Sequence, residues 1–480
     1  MIKYEFFDYD KMNERLNNLI KTKHKNEVRK LKPIAYSPCG FEVEHYVIGK
    51  GDKHFIVMGG THGNEIIGPD FVTQLMENIA SGEGYFKDFD ENSITIDFIP
   101  CQNPEGFIIS TEILKKYLEG KSEDVLQTLS RSYWQAYRED DRRELLLNKF
   151  LTDLGAENNI KENFWDKFRF KEISKKELFE FCQENFNINK ETFEKLWKEK
   201  IIPSSGIIKN GKIINNGNRY EVFPDISYED IEEKDERYIK LKEKVKNIMQ
   251  KDYTGYTFPK ESLIDWRSNA RGIDLNKNNP INLNLKLEER NLKNKKLFGS
   301  LRFSNLLREV PGPQGSPSIN MDVFEFEPEN YGLLKYLINQ IENGEYIGMI
   351  SYHGTGGLIY YHPIKPQTIR HEMDKEIVSQ IDEINTFIAD IYEKETGYIK
   401  QDYPKKITGT GDMLRNLIPG FLLIELSKMG GNPLGPYGDK DGNYTQTIST
   451  NFKAFSETIK YAKEVLEKEN KKKELKKVIK

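Results

Sequence analysis

The chain has 480 residues, a formal net charge of −4 and a charged fraction of 31%. That length allows a large core and about two to four domains, and the charge balance gives no general attraction to nucleic acid or an anionic membrane. Three widely spaced cysteines, Cys39, Cys101 and Cys182, with no CxxC pair, argue against a disulfide scaffold and a cysteine-bound metal.

The N-terminus, MIKYEFFDYDKMNERLNN, is charged early and lacks the apolar core of a secretory signal. No apolar run approaches the ~18 residues a membrane-spanning helix needs. The expectation is a soluble, cytoplasmic protein with no nucleic-acid or membrane partner. Residues 1–30 read as one or two short amphipathic helices. Residues 41–58 alternate as strands, 68–81 read as a helix, and 93–101 as a buried strand leading into a turn at Asn103. This rhythm predicts an α/β sheet with parallel strands, which binds ligands at the carboxyl ends of those strands.

The texture changes over residues 111–261, where several amphipathic, strongly charged helices follow one another. We read this block as a mainly helical insertion that could cap an active site or only decorate the fold. Trp134, Trp165 and Trp197 read as anchors of its core, and Asn215-Asn216-Gly217 as a hairpin turn. Residues 451–480 form a C-terminal helix with a solvated, lysine-rich end.

The most informative stretch is Phe55 to Gly68, FIVMGGTHGNEIIG. A buried strand ends in two glycines, and His62 and Glu65 follow three residues apart. A turn after a strand can aim an imidazole and a carboxylate at one point, and zinc accepts such ligands. A catalytic zinc takes three protein ligands and leaves a fourth position for water. The third ligand should therefore lie downstream. Of the seven histidines, His353 closes the apolar run YIGMISYHGTGG, ahead of a tight glycine turn. It is preferred to His362 and His371. Glu425, in the apolar run GFLLIELSKMGG, is a charge that needs a partner or a task.

His62-Gly-Asn-Glu65 resembles the HxxE segment of zinc carboxypeptidases. Four further stretches are similar to that family in the same order: Asn103-Pro-Glu-Gly-Phe107, the segment from Arg267 to Asn278, Pro311-Gly-Pro313 with Glu327-Pro-Glu329, and the strand around Glu425. The resemblance covers roughly residues 30–110 and 262–435. It implies a carboxypeptidase-like α/β fold, a mixed, largely parallel β-sheet flanked by helices, in one catalytic domain made of residues 1–110 and 262–450 and interrupted by the insertion.

The resemblance also implies roles. One Zn2+ per chain would be held by His62, Glu65 and His353. Glu425 would be general base and then acid, and Arg267 would stabilise the oxyanion. Asn276 and Lys277 stand where the family has Asn-Arg, the pair that grips a substrate's terminal carboxylate. Lysine keeps the charge and loses the planar fork. Arg271, which could instead pair with Asp274, and Tyr403 are further candidates for substrate binding. The implied activity is a zinc-dependent protease that removes a C-terminal residue from a peptide. Gly59 to Glu65 is also similar to the opening of aspartoacylase and succinylglutamate desuccinylase, which implies an alternative, hydrolysis of a small N-acyl amino acid. A catalytically inactive binding relative would lack a ligand or the base, and all four groups are present.

Overall fold

The structure, a computed structural model, describes residues 6–121, 146–168, 173–201, 208–209, 212–213, 226–250, 263–264, 266–278, 327–354, 356–361, 375–401, 411, 414, 418–427 and 443–478. The first part of the chain gives α1 (Tyr9–Lys21), β1 (Val28–Lys30), β2 (Ala35–Tyr36), β3 (Glu42–Val43), β4 (Tyr46–Gly49), β5 (His54–Gly59), α2 (Ile67–Ser81), β6 (Thr95–Ile99) and α3 (Pro104–Leu118). The middle gives α4 (Asn158–Phe168), β7 (Ile173–Ser174), α5 (Lys175–Phe186), α6 (Lys190–Leu196), β8 (Ile208–Lys209), β9 (Lys212–Ile213) and α7 (Glu236–Gln250). The last part gives α8 (Pro328–Glu342), β10 (Tyr346–Gly354), β11 (Leu358–Tyr360), α9 (Lys375–Thr396), β12 (Ile399–Gln401), β13 (Phe421–Leu426) and α10 (Asn443–Val478).

Eight strands make one mixed sheet in the order β1-β4-β6-β5-β10-β13-β11-β12. The four central strands, β6, β5, β10 and β13, run parallel. Antiparallel strands flank them: β4 on β6, β1 on β4, and β11 on β13. The central strands are apolar almost throughout because both of their faces are covered.

Alternation along each strand decides which residue meets which helical layer. On β5, Phe55 and Val57 share a core with Phe71 and Val72 of α2 and with Phe452 and Phe455 of α10. Ile56 and Met58 face the other way, toward Leu333 and Leu337 of α8. On β13, Leu422 and Ile424 join the first core, and Phe421 and Leu423 the second. A slip of one residue would exchange these faces, so the register also fixes where Glu425 lies. His353 and Glu425 both fall on the α8 side of the sheet, at the carboxyl ends of their strands.

The first core extends into α1, α3 and α7 through Met12, Phe107, Ile113 and Leu241. Residues between Leu147 and Ile213 have a separate core of their own, which includes Phe150, Phe164, Phe181, Phe193 and Trp197. There α5 begins with a capping box, in which Ser174 and Glu177 satisfy each other's backbone N–H groups. Trp134 and the turn at 215–217 lie outside the described residues, and of Trp165 only the backbone is described. Cys39, Cys101 and Cys182 are buried free thiols whose pKa values burial pushes up. Among the described residues, no helix is long and apolar enough to cross a membrane.

Candidate metal centre

After β5 the chain turns through Gly60 and Asn64 into α2, and this turn presents His62 and Glu65. Gly63 lets it lie against the start of α3: a β-carbon there would fall 2.1 Å from the Gly106 carbonyl carbon. The His62 Nδ1 atom is 2.7 Å from Glu65 Oε1, and His353 Nδ1 is 3.0 Å from Glu65 Oε2. The Gly354 N–H also donates to Glu65 Oε2, at 3.3 Å. The two imidazole rings are 5.0 Å apart and inclined at 70°. One donor atom from each of His62, Glu65 and His353 lies within 4.8 Å of the others, and all three residues are buried.

The local field favours a positive charge among these groups. Burial and Arg267 press the His62 pKa down, but Glu65 and Asp274 outweigh them and raise it to about 9. Burial works against the Glu65 carboxylate, yet His62 and His353 hold it well below the usual carboxylate range. Burial keeps the His353 pKa low despite Glu65 beside it. Two imidazoles and a carboxylate this close form a donor set in which a divalent cation can take the place of a proton. Such a set suits zinc with an open position and accepts other divalent metals too.

Glu425 stands in register with His353 across β10 and β13. Its side chain keeps a partial opening to solvent. Surrounding protein and the Glu65 charge push its carboxyl up to about 8, against the pull of His62 and Arg267. Arg267 arrives from a segment remote in sequence, and its Nη2 lies 3.1 Å and 3.3 Å from the two ring nitrogens of His62. Its carbonyl oxygen accepts from Gly63 N at 3.0 Å and from the Asn103 side chain at 2.9 Å.

Asp274, which the sequence suggested as a partner for Arg271, instead has Oδ1 3.4 Å from His62 Nε2 and is buried. His62, Arg267 and Lys277 hold its carboxyl low against the effect of burial. Arg271 turns the other way, with Nη1 3.4 Å from Glu327 Oε1. The signal for Asp274 was available: a carboxylate between Ile273 and Leu275 needs a task as much as Glu425 does. Asn276 and Lys277 are half-buried and follow on the same loop. The Asn276 N–H donates to Asp274 Oδ1 at 2.8 Å, and Asn276 Oδ1 accepts from Gly411 N at 3.5 Å. Pro311 to Pro313, His362, His371, Tyr403 and Arg415 lie outside the described residues.

Two more polar residues shape the loop. Asn269 is fully buried; its Oδ1 accepts from Arg271 N and Ile273 N, and its Nδ2 donates to Glu327 Oε2 at 2.7 Å. Glu105, also fully buried, accepts from Cys39 N at 2.5 Å and Ala270 N at 2.7 Å. The site thus joins His62, Glu65, His353, Glu425, Arg267 and Asp274 at the carboxyl ends of three parallel strands.

The fold is a mixed α/β sheet, and the His-Glu-His cluster at its strand ends could hold a metal ion. Residues 19–209 match the family model described as zinc carboxypeptidase, and the chain resembles that family. No curated protein matches the chain. It is similar to solved structures at low identity. Bovine thrombin-activatable fibrinolysis inhibitor, in complex with tick carboxypeptidase inhibitor, is 11% identical, over 95% of this chain and 98% of that chain, with a TM-score of 0.44. The carboxypeptidase A of Helicoverpa armigera is 11% identical, over 94% and 74%, at 0.41. A metallo-carboxypeptidase from Burkholderia cenocepacia is 9% identical, over 96% and 71%, at 0.40.

Proposed function

We propose that this protein is a zinc-dependent hydrolase that removes the C-terminal amino acid from a peptide. The convergence of His62, Glu65 and His353, with Glu425 in register beside them, is the observation that carries this reading. Those three residues would hold one zinc ion through two ring nitrogens and a carboxylate oxygen. When bound, zinc supplies a Lewis acid for a carbonyl and lowers the pKa of a water to near neutrality.

The remaining work falls to the chain itself. Glu425 takes the proton from the attacking water and returns it to the leaving nitrogen. Without a cation the Glu425 carboxyl is pushed up to about 8 and holds its proton at neutral pH; the charge of a bound cation would draw that value down and leave a carboxylate able to accept a proton and then release it. Arg267 donates to the oxygen on which negative charge develops. Asp274 holds His62 at its far nitrogen and fixes which nitrogen faces the cation. Asn276 and Lys277 bind the terminal carboxylate of the substrate, with Arg271 and Tyr403 as further candidates.

The test is product release from three substrates by zinc-loaded protein: an N-blocked dipeptide with a free C-terminus, the same dipeptide amidated, and N-acetylaspartate. Cleavage of the first alone supports a carboxypeptidase. Cleavage of N-acetylaspartate alone replaces this reading with an acyl amino acid hydrolase. Hydrolysis of none of them removes the proposal.

A further inference from the structure

Asn103 is fully buried and caps α3: its side-chain oxygen accepts from Gly106 N at 2.9 Å, and Pro104 occupies the first helical position. A cap needs only that oxygen. The other end of the amide does something a cap does not require. Its nitrogen donates to the Arg267 carbonyl at 2.9 Å and, at a longer 3.4 Å, to the carbonyl of Thr61, the residue before His62. The Asn103 backbone N–H donates to Gly60 O at 2.8 Å, so the same residue holds the ligand turn at two points.

We infer that Asn103 is a positioning residue, which sets Arg267 relative to the His62 turn and so sets the geometry of catalysis. The inference rests on the hydrolase reading above. An amide offers two donors and one acceptor, and here all three have partners. Aspartate has the acceptor without the donors. Serine has one donor and cannot span both carbonyls. Arg267 and His62 are far apart in the chain, and Gly63 N and Asn103 Nδ2 both meet at the Arg267 carbonyl. An error of about 1 Å in such a placement can cost about 100-fold in rate.

The experiment compares wild type with Asn103→Ser in the full-length protein, alone and combined with Arg267→Ala. Serine still caps α3. Three quantities are read: zinc affinity by chelator competition, kcat and KM. We expect Asn103→Ser to weaken zinc about tenfold. At saturating zinc kcat should fall about 100-fold, with KM changed less than about threefold. On the Arg267→Ala background the further loss of kcat should vanish, because the interaction being positioned is gone. Wild-type zinc affinity and kcat in Asn103→Ser would reduce the residue to a helix cap. An undiminished loss on the Arg267→Ala background would make it a general structural residue. If the serine variant does not fold, Asn103→Asp, equal in size and still a cap, takes its place, and failure of both overturns the inference. Should wild type hydrolyse nothing, the hydrolase reading falls by itself. Zinc affinity then decides the inference: an unchanged value overturns it, and a tenfold loss retains the positioning of His62.

Discussion

His353 and Glu425 stand directly opposite one another on neighbouring parallel strands, each close to the end of its strand. The register of β10 and β13 therefore brings a metal-ligand candidate and the carboxylate proposed as proton acceptor to the same edge without any loop. It follows that the carboxylate can be changed without touching the donor set. In Glu425→Gln we expect zinc content equal to wild type by elemental analysis, and kcat lower by about 100- to 10,000-fold. Glutamine fills the same space and cannot take up a proton. Turnover within tenfold of wild type, with zinc bound, would exclude Glu425 as the base.

The strand-turn-helix around His62 was legible because its chemistry is local: a buried run, two glycines and two donors within a few residues. His353 and Glu425 were legible for a related reason, since polar groups that end apolar strands are costly without a task. The place of Asp274, Asn269 and Glu105 around the candidate site is not legible in the sequence, because each has a partner far away in the chain. Glu105 meets Ala270, and Asn269 meets Glu327, only after folding. The change of texture near residue 111 is a property of the surface. Charged positions begin to dominate there, while Ile113, Leu114 and Leu118 continue into the main core.

Away from the site, Asp97 lies buried between two imidazoles. Its Oδ1 is 2.8 Å from His45 Nε2, its Oδ2 is 2.6 Å from His54 Nδ1, and the Tyr336 hydroxyl donates to Oδ1 at 2.7 Å. Burial lowers the His54 pKa, but Asp97 more than reverses this, so the net shift is upward. A histidine raised on folding stabilises the protein fully below its unfolded pKa of about 6.5, and loses that contribution as pH rises through the folded value. His54→Asn should therefore cost about 1 kcal/mol at pH 6 and markedly less at pH 9. Urea unfolding of both proteins at the two pH values measures the gap. A gap that is constant or grows with pH contradicts the ion pair.

The contact between Gly63 and Gly106 is backbone against backbone, with no flexible side chain to give way. Gly63→Ala must push the ligand turn away from α3, which displaces His62 from Glu65 and Asp274. Overpacking of this kind costs about 1–3 kcal/mol. We expect a lower unfolding midpoint and weaker zinc binding together, by calorimetry and chelator competition. Full zinc affinity at unchanged stability would show that the turn is not held by this contact.

Lys277 tests which end of a substrate the site grips. It follows Asn276 on the loop that carries Asp274, and its own N–H donates to the Asp274 carbonyl at 3.0 Å. Its ammonium acts as a point charge, whereas a guanidinium forms two parallel bonds to a carboxylate. One added charge-assisted bond, worth about 1 kcal/mol net, corresponds to about fivefold in affinity. Lys277→Arg should thus lower KM about fivefold for a dipeptide with a free C-terminus and leave kcat unchanged. The amidated dipeptide, which has no carboxylate at that end and is read through its inhibition constant, should show no gain. An equal gain for both dipeptides would mean that Lys277 acts elsewhere on the bound peptide, and no gain for either would remove it from the binding site.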